Sequence, residues 1–455
     1  MVDDTIVAVS TAPGRAGVAL VRISGSEVPR ISERLGLPLL EPRRATLCRV
    51  RHPEDGRILD VALATRFRAP ASYTGQDVLE ITCHGGALVP QSIVDAVCAA
   101  GGRPAGPGEF TRRAFLNGKL DLVQAEATLD LVDARSEALH RASLFQLEGA
   151  LSARIQALRD RMLDLLAMLS YAIDFPDEDE GPVPPEKVRE AAARLIEELG
   201  ELLRNAPEGE LLREGALTVI AGRPNSGKSS LFNALLGESR AIVTEEPGTT
   251  RDAVEALLAV EGYPFRLVDT AGLRTEAGRV ESLGIEVARR YLERADLVLY
   301  CAEAGREMGE DERVFLSRHR AGGRRVILVR TKVDRVRGWA ISDDGPVRGA
   351  GGIWVSSIRG TGLDEVRARL VDAAFSGLRS AEREAPFLTR RRQIRAVKQA
   401  RHEIWDFLES DSAGLPPEVS ATHVQEAARC LEELLGTVDA EDVLERVFTQ
   451  FCIGK

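Results

Sequence analysis

The sequence predicts a multidomain α/β plus all-α fold: an N-terminal α+β domain, then a helical domain split by an inserted phosphate-loop domain. Three observations predict it. Strand-like segments occupy residues 1–118, amphipathic helical spacing occupies about 119–214 and returns in 377–455, and a glycine-rich strand-to-helix turn lies between the helical blocks, in 215–376. At 455 residues the chain suits about three domains, and its 44% hydrophobic and 29% charged content is that of an ordinary soluble protein. Six cysteines without a C-x-x-C pair suggest neither a zinc knuckle nor a disulfide framework. No stretch approaches the roughly 20 apolar residues of a membrane span. The acidic start Met1-Val2-Asp3-Asp4 is the reverse of a signal peptide's basic region, so a cytoplasmic location without membrane attachment is expected. The net charge of −10 argues against a general nucleic-acid coat but leaves room for a local basic patch.

In the first block, residues 5–10, 18–23, 58–67 and 77–82 have alternating or β-branched patterns of strands. Residues 88–100 have helical spacing and stop at Gly101-Gly102. Two glycine loops, at 13–17 and Cys83-His84-Gly85-Gly86, are weak signals, and His84 could simply cap a strand end. By composition 107–119 reads as a surface loop and helix start. Apolar residues then recur at three and four spacings through Leu122, Ala127 and Leu131, and again through Leu151, Ile155, Leu158 and Met162. The carboxylates at 174–180 could bind a divalent ion but read better as a solvated loop, followed by a helix over about 186–203. After 385 the helical pattern resumes through Ile394, Val397, Ile404 and Phe407, then 424–435 and 442–451. Two helical blocks that each need an apolar partner are most simply one domain interrupted by another.

The inserted block carries the chemistry. The strand Leu217-Thr218-Val219-Ile220-Ala221 leads into Gly222-Arg223-Pro224-Asn225-Ser226-Gly227-Lys228-Ser229 and a helix from Ser230, the context a phosphate-binding loop requires. Its backbone N–H groups and helix N-terminus would cradle phosphates, Lys228 would reach the β and γ phosphates, and Ser229 would ligate Mg²⁺. A hairpin over 254–260 and 265–268, turning at Glu261-Gly262, leads into Asp269-Thr270-Ala271-Gly272. There Asp269 can hold Mg²⁺ through water and the Gly272 N–H can meet a γ-phosphate. Thr250, in Gly248-Thr249-Thr250-Arg251-Asp252, is the candidate second Mg²⁺ hydroxyl. After the strand 326–329, Arg330-Thr331-Lys332-Val333-Asp334 sets base choice: Asp334 can accept from guanine N1–H and its amine, where adenine offers no N1 proton. The Lys332 stem can cover the base, and Ser356-Ser357-Ile358 would close over its edge. Many guanine-nucleotide proteins carry Asn where this chain has Thr331; a hydroxyl supplies fewer hydrogen bonds, so weaker affinity is expected. Leu273 occupies the place where Ras-type switches keep a water-orienting Gln, leaving Arg251, Arg274, Glu276 and Glu281 as open candidates for that work.

Beyond these motifs the chain carries Pro13-Gly14-Arg15, Leu20-Val21-Arg22-Ile23-Ser24-Gly25, His84-Gly85-Gly86, Pro107-Gly108-Glu109-Phe110, Arg113-Ala114-Phe115-Leu116-Asn117, Gln124-Ala125-Glu126-Ala127 and the terminal Phe451-Cys452-Ile453-Gly454-Lys455. In these it closely resembles the MnmE (also TrmE) family of tRNA-modifying GTPases over essentially its whole length. The resemblance implies a folate-binding and dimerising N-terminal domain, a helical domain and an inserted Ras-like G domain. It implies a homodimer working with MnmG, a flavin (FAD) and NADH protein, in a heterotetramer. On this resemblance the pair would add an aminomethyl or carboxymethylaminomethyl group to C5 of the wobble uridine, position 34, of certain tRNAs. On the same resemblance a 5-formyl- or methylene-tetrahydrofolate would supply the carbon. Arg22, Glu80, Lys119 and Lys455 match the folate positions, and Cys452 is carried over as a functional thiol. The resemblance also implies K⁺ in place of an arginine finger, with Asn225 as its ligand and Thr244, Glu246 and Thr249 in the matching loop. GTP contacts then span Asn225 to Ser230, Thr244, Glu245, Glu246, Pro247, Gly248, Thr249 and Thr250, and Glu281 is the residue that orients water. A ribosome-assembly switch of the Era or Der type is the rival reading, disfavoured by the single phosphate loop and the terminal Phe-Cys-Ile-Gly-Lys. For tRNA contact, Arg390, Arg391, Arg392, Arg395, Lys398 and Arg401 form the one dense basic run, which reads equally as a solvated helix face.

Overall fold

The computed structural model of the chain describes residues 4–174, 184–238, 255–270, 281–336, 352–380, 387–437 and 441–455. Most of the carboxylate cluster at 174–180 lies outside them. By contact the chain divides into two compact units, one of residues 1–129, 147–156 and 429–455, the other of 130–146 and 157–428.

The first unit is built on period-two alternation. Its elements are β1 (Ile6–Val9), β2 (Val18–Ser24), α1 (Val28–Arg34), β3 (Thr46–Arg51), β4 (Ile58–Phe67), β5 (Val78–His84), α2 (Leu88–Ala99), β6 (Arg103–Pro104) and α3 (Glu109–Leu116). The strands lie in the order β3-β4-β5-β2-β1-β6, antiparallel except for the β1–β6 pair. Ala19, Val21 and Ile23 of β2 pair with Cys83, Ile81 and Leu79 of β5, so the inward positions of both strands coincide and are buried. Ile93, Val94, Ala96 and Val97 of α2 complete that core. Sequence patterning passed over β3 because Cys48 and Val50 alone point inward between the exposed Leu47 and Arg49. The segment 107–119, read as a surface loop and helix start, does contain the helix α3, but one face of it is interior, with Phe110, Thr111, Arg113 and Ala114 buried.

The helices that follow are α4 (Leu122–Asp133), α5 (Glu137–Leu147), α6 (Ala150–Asp174), α7 (Pro185–Arg204) and α8 (Ala206–Glu214). The inserted block holds β7 (Ala216–Gly222), α9 (Lys228–Glu238), β8 (Glu255–Val260), β9 (Tyr263–Asp269), α10 (Glu281–Arg294), β10 (Leu297–Glu303), α11 (Glu310–Ala321), β11 (Arg325–Thr331), β12 (Ile353–Trp354) and α12 (Leu363–Ser380). The chain closes with α13 (Arg391–Ser412), α14 (Pro417–Leu435) and α15 (Glu441–Phe448).

The second sheet runs β12-β11-β10-β7-β9-β8, parallel except for the β8–β9 hairpin. Its near-continuous apolar strands, such as the buried Ala216 to Ala221, reflect burial on both faces, as in a Ras-like domain. Strand order reverses beside β7, which places a crevice at that strand's carboxyl end. In the same unit α7 and α13 pack antiparallel, burying Val188, Ala192, Leu195, Leu199 and Leu202 on one helix and Ile394, Val397, Ala400, Ile404 and Phe407 on the other. Phe375 leaves helical geometry inside α12, and the Glu208 carboxylate of α8 accepts from the Gly377 and Leu378 N–H groups at 3.0 and 2.7 Å. In the first unit, Leu444, Val447, Phe448 and Phe451 of the chain's last segment close over Leu122, Ala125 and Leu129 of α4.

Candidate functional site

The crevice at the end of β7 is where the predicted phosphate loop lies. Gly222 has φ 146°, and a Cβ there would stand 2.3 Å from the Cys301 carbonyl oxygen, so only glycine lets the loop leave the sheet so close to β10. Asn225 at φ 59° and Gly227 at φ 86° continue the curl. The Lys228 ammonium donates to the carbonyls of Gly222 and Arg223 at 3.1 and 2.8 Å, folding back over the loop. Ser226 Oγ is buried without a hydrogen-bond partner, while Ser229 and Ser230 stand exposed in the first turn of α9. Arg223 is anchored from outside by the buried Glu312, 3.7 Å away. An inward-curled backbone, a lysine, an orphan hydroxyl and a free helix N-terminus are the donor set a polyphosphate needs, with a hydroxyl beside it for Mg²⁺.

Two further motifs reach the same sheet end. Asp269 ends β9 opposite Ile220 of β7 and is buried; the neighbouring Thr270 hydroxyl donates to the Ile220 carbonyl at 2.8 Å. On β10, the other neighbour of β7, the Cys301 thiol is pushed up to about 12 by burial, lowered in part by Lys228 and raised by Asp269, so all three groups share one electrostatic neighbourhood. Thr331 closes β11 and its hydroxyl donates to the Ser226 carbonyl at 2.6 Å, tying the segment expected to read the base to the phosphate loop. Lys332 is left-handed, φ 58°, with Nζ 3.3 Å from Glu303. Asp334 accepts from the Ser356 hydroxyl at 2.6 Å; that bond, helped by the charges of Arg359 and Arg335, holds its carboxyl below the usual range. Val333 is buried, Ser356 fully so, Ser357 half-buried and Ile358 exposed. Of the predicted GTP contacts, Thr244, Glu245, Glu246, Pro247, Gly248, Thr249, Thr250, Ala271 and Gly272 fall outside the described residues, as do Arg251, Arg274 and Glu276. Glu281 opens α10, its side chain also outside them.

A second cluster lies in the first unit. Arg22 on β2 faces Glu80 on β5 in register, with Nε and Nη2 each 2.9 Å from Oε1. Its guanidinium lies 5.4 and 5.8 Å from the ring centroids of Tyr73 and Phe110. The chain end folds in beside it: Ile453 bridges Pro107, the Ser10 hydroxyl donates to the Gly454 carbonyl at 2.9 Å, and the Phe110 N–H donates to the Lys455 carbonyl at 3.2 Å. Burial and the charge of Arg22 push the Lys455 ammonium below its usual range, and the exposed Cys452 acts on it in the opposite sense. Arg22, Glu80, Lys455 and Cys452 are therefore brought together; Lys119 stands exposed on the Pro70 carbonyl, 3.2 Å away. Tyr73 and Phe110 were missed as ring partners of Arg22, since nothing in sequence spacing places them there. His84 does more than cap a strand: its Nδ1 lies 2.8 Å from Asp60, whose other oxygen accepts from the His84 N–H, also at 2.8 Å.

With both clusters in place, the comparison with known proteins is decisive. A family model described as the MnmE helical domain matches residues 122–452, and one described as the N-terminus of the GTP-binding protein TrmE matches residues 5–119. The tRNA modification GTPase MnmE of Syntrophotalea carbinolica is 42% identical over 462 residues, covering 100% of this chain and 99% of that one. The proteins of the same name from Geobacter metallireducens and Moorella thermoacetica are each 39% identical and span 100% of this chain and at least 99% of their own. The chain belongs to the MnmE family. The match at 122–452 runs through the inserted block, so one MnmE helical region precedes and follows the phosphate loop, as the two helical blocks in the sequence suggested. Within this MnmE chain the basic run near 390 is corrected by the structure. Arg390 is 5% exposed and bidentate to Asp130, and Arg391 pairs with Glu210 and Glu214, so neither is a free surface cation.

Proposed function

We propose that the chain is a K⁺-stimulated GTP hydrolase that acts as a homodimer with an MnmG-type FAD protein to modify C5 of the tRNA wobble uridine. The observation that carries the reading is the assembly of Lys228, Asp269, Thr331 and Asp334 at one sheet end in a chain that matches tRNA modification GTPases over its full length. Supporting the base choice, Ser356 points Asp334 and keeps it ionised, the form that accepts two hydrogen bonds from guanine. Mg²⁺, when bound, neutralises charge on the phosphates; Ser229 and Thr250 are its proposed hydroxyl ligands, and Asp269 a holder through water. Asn225 is exposed at the loop's left-handed tip, where its amide oxygen can serve a monovalent ion together with Thr244, Glu246 and Thr249. Glu281 orients the attacking water in this reading.

The N-terminal cluster suits an anionic ligand bearing a planar ring. Two cations, Arg22 and Lys455, repel each other there, Glu80 pairs with the first, and aromatic rings flank the guanidinium. A tetrahydrofolate fits this chemistry, with Lys119 at the rim and Cys452 as the thiol beside it. The division into 1–118, 119–214, 215–376 and 377–455 belongs to the same proposal. GTP hydrolysis should run faster in KCl than in NaCl, and Asn225→Ala should remove the difference; equal rates in both salts would sink the K⁺ assignment. Unchanged wobble uridines, by mass spectrometry of tRNA nucleosides from cells lacking the chain, would sink the modification.

A further inference from the structure

The structure splits the basic run of α13 into two classes. Arg390 and Arg391 are consumed by Asp130, Glu210 and Glu214. Arg395, Lys398 and Arg401 are exposed, and no carboxylate among the described residues pairs with them. Exposed arginines elsewhere are partly matched four residues away, Arg289 with Glu293, Arg290 with Glu286 and Arg429 with Glu433, and partly unmatched among the described residues, as Arg313, Arg318 and Arg320 of α11 are. What sets this face of α13 apart, in a chain of net charge −10, is that its unmatched cations stand beside a half-exposed tryptophan, Trp405.

Residues 395, 398, 402 and 405 recur at three and four spacing, so Arg395, Lys398, His402 and Trp405 share a stripe along α13. Lys398, Arg401, His402 and Trp405, with Leu203 from α7, line a recess of about 220 Å³. Trp405 is 52% exposed, and its indole N–H donates to Glu409 at 3.0 Å, which fixes the ring while half its surface faces water. Acidic groups bordering the stripe are engaged: Glu409 by Trp405, and Asp406 lies 3.7 Å from His402.

We propose that this face of α13 docks the RNA substrate, with Arg395, Lys398 and Arg401 on phosphates and Trp405 against a base or ribose. The inference rests on the reading of tRNA as substrate and adds where it is held. Unpaired cations interleaved with an exposed, orientation-fixed aromatic are what single-stranded or loop RNA recognises, since phosphates supply the charge and unstacked bases the flat surface. An acidic protein could also cover both the cations and the tryptophan, and the comparison with poly-L-glutamate separates it from RNA.

The test uses the full-length chain and a fluorescein-labelled unmodified tRNA transcript, with binding followed by anisotropy over a series of KCl concentrations. The triple variant Arg395→Ala, Lys398→Ala, Arg401→Ala should bind at least tenfold more weakly at low salt. It should also lower the slope of log affinity against log salt by roughly 3, about one per lost phosphate contact. The charge-conserving triple Arg395→Lys, Lys398→Arg, Arg401→Lys should keep both, and basal GTP hydrolysis should be unchanged in each. Trp405→Phe should remove tRNA-dependent quenching of tryptophan fluorescence. Wild-type affinity and slope in the alanine triple, beside normal binding by the wild type, overturn the docking surface alone. A wild type that binds no tRNA overturns both this inference and the substrate reading beneath it. Equal affinity for poly-L-glutamate assigns the face to acidic protein and overturns the RNA assignment.

Discussion

Replacing Thr331 by Val tests whether the end of β11 holds the phosphate loop. The two side chains have the same shape, the site is 1% exposed, and what disappears is one hydroxyl donating to the Ser226 carbonyl at 2.6 Å. A buried acceptor stripped of its donor costs about 1–3 kcal/mol, which corresponds to roughly 5- to 150-fold in an equilibrium constant. How that cost divides between folding and nucleotide affinity depends on how far the empty loop relaxes. The division drops out if stability is measured on the GDP-saturated protein, because affinity lost and stability lost then add along one thermodynamic cycle. The assay is release of a fluorescent GDP analogue at saturating concentration as guanidinium chloride is raised, for wild type, Thr331→Val and Thr331→Ser. Thr331→Ser keeps the hydroxyl and should fall within about 1 kcal/mol of wild type, the remainder reflecting its lost methyl. A Thr331→Val protein that releases GDP within about 0.5 kcal/mol of wild type would refute the idea that this hydroxyl positions the loop.

Other perturbations follow the same geometry. Gly222→Ala should abolish GDP binding in titration while far-UV circular dichroism is retained, since its Cβ would meet the Cys301 carbonyl at 2.3 Å. Asp130→Ala should cost about 3–5 kcal/mol in chemical denaturation, because Arg390 and Arg213 both lean on that buried carboxylate and would be left uncompensated. Burial alone would raise the Glu109 carboxyl, but hydrogen bonds from Arg103, Gly106 and Arg113 outweigh it and hold the group at about 2, against 4.5 for a free glutamate. The folded value is the lower one, so this stabilisation is complete above about pH 4.5 and is lost as pH falls toward 2. It amounts to ~2 kcal/mol once solvent screening at the partly open site is allowed for. Thermal unfolding at pH 7 and pH 3 should therefore show a smaller acid loss in Glu109→Gln than in wild type.

The parts of this molecule that were legible in the sequence are those whose meaning is local. The phosphate loop declares itself because strand, glycine turn and helix follow one another within about twenty residues, and Thr331 to Asp334 because it ends an apolar strand. What escaped depends on contacts between distant residues. Thr331 and Ser226 are 105 apart in sequence, and no pattern says that the hydroxyl expected to contact a nucleotide is spent on the loop instead. Arg390 looked like its neighbours in a basic run, yet α13 turns it inward onto Asp130, 260 residues earlier. The Arg22–Glu80 pair came from the family resemblance; its geometric cause, cross-strand register between β2 and β5, is visible only once the sheet is formed.

The same distinction explains how the nucleotide crevice is attached to the helices of its unit. Asp269 ends β9, and β9 is paired along its length with β8, so Asp269 and the hairpin turn at Glu261-Gly262 belong to one ribbon. The turn's Gly262 carbonyl accepts from the Ala138 N–H of α5 at 3.0 Å, and Ala138 is buried in the core of the nucleotide sheet itself, alongside Leu258, Val260 and Phe265. Between Asp269 and α5 there is therefore a hydrogen-bonded ribbon and a shared core rather than a linker. Packed cores resist continuous deformation, so displacing the hairpin must either carry α5 with it or break that bond and open the core. Intermediacy alone would not make a pathway; here the attachment is mechanical, and sequence could not have announced it, because Glu137-Ala138 and Glu261-Gly262 look like an ordinary helix start and an ordinary turn.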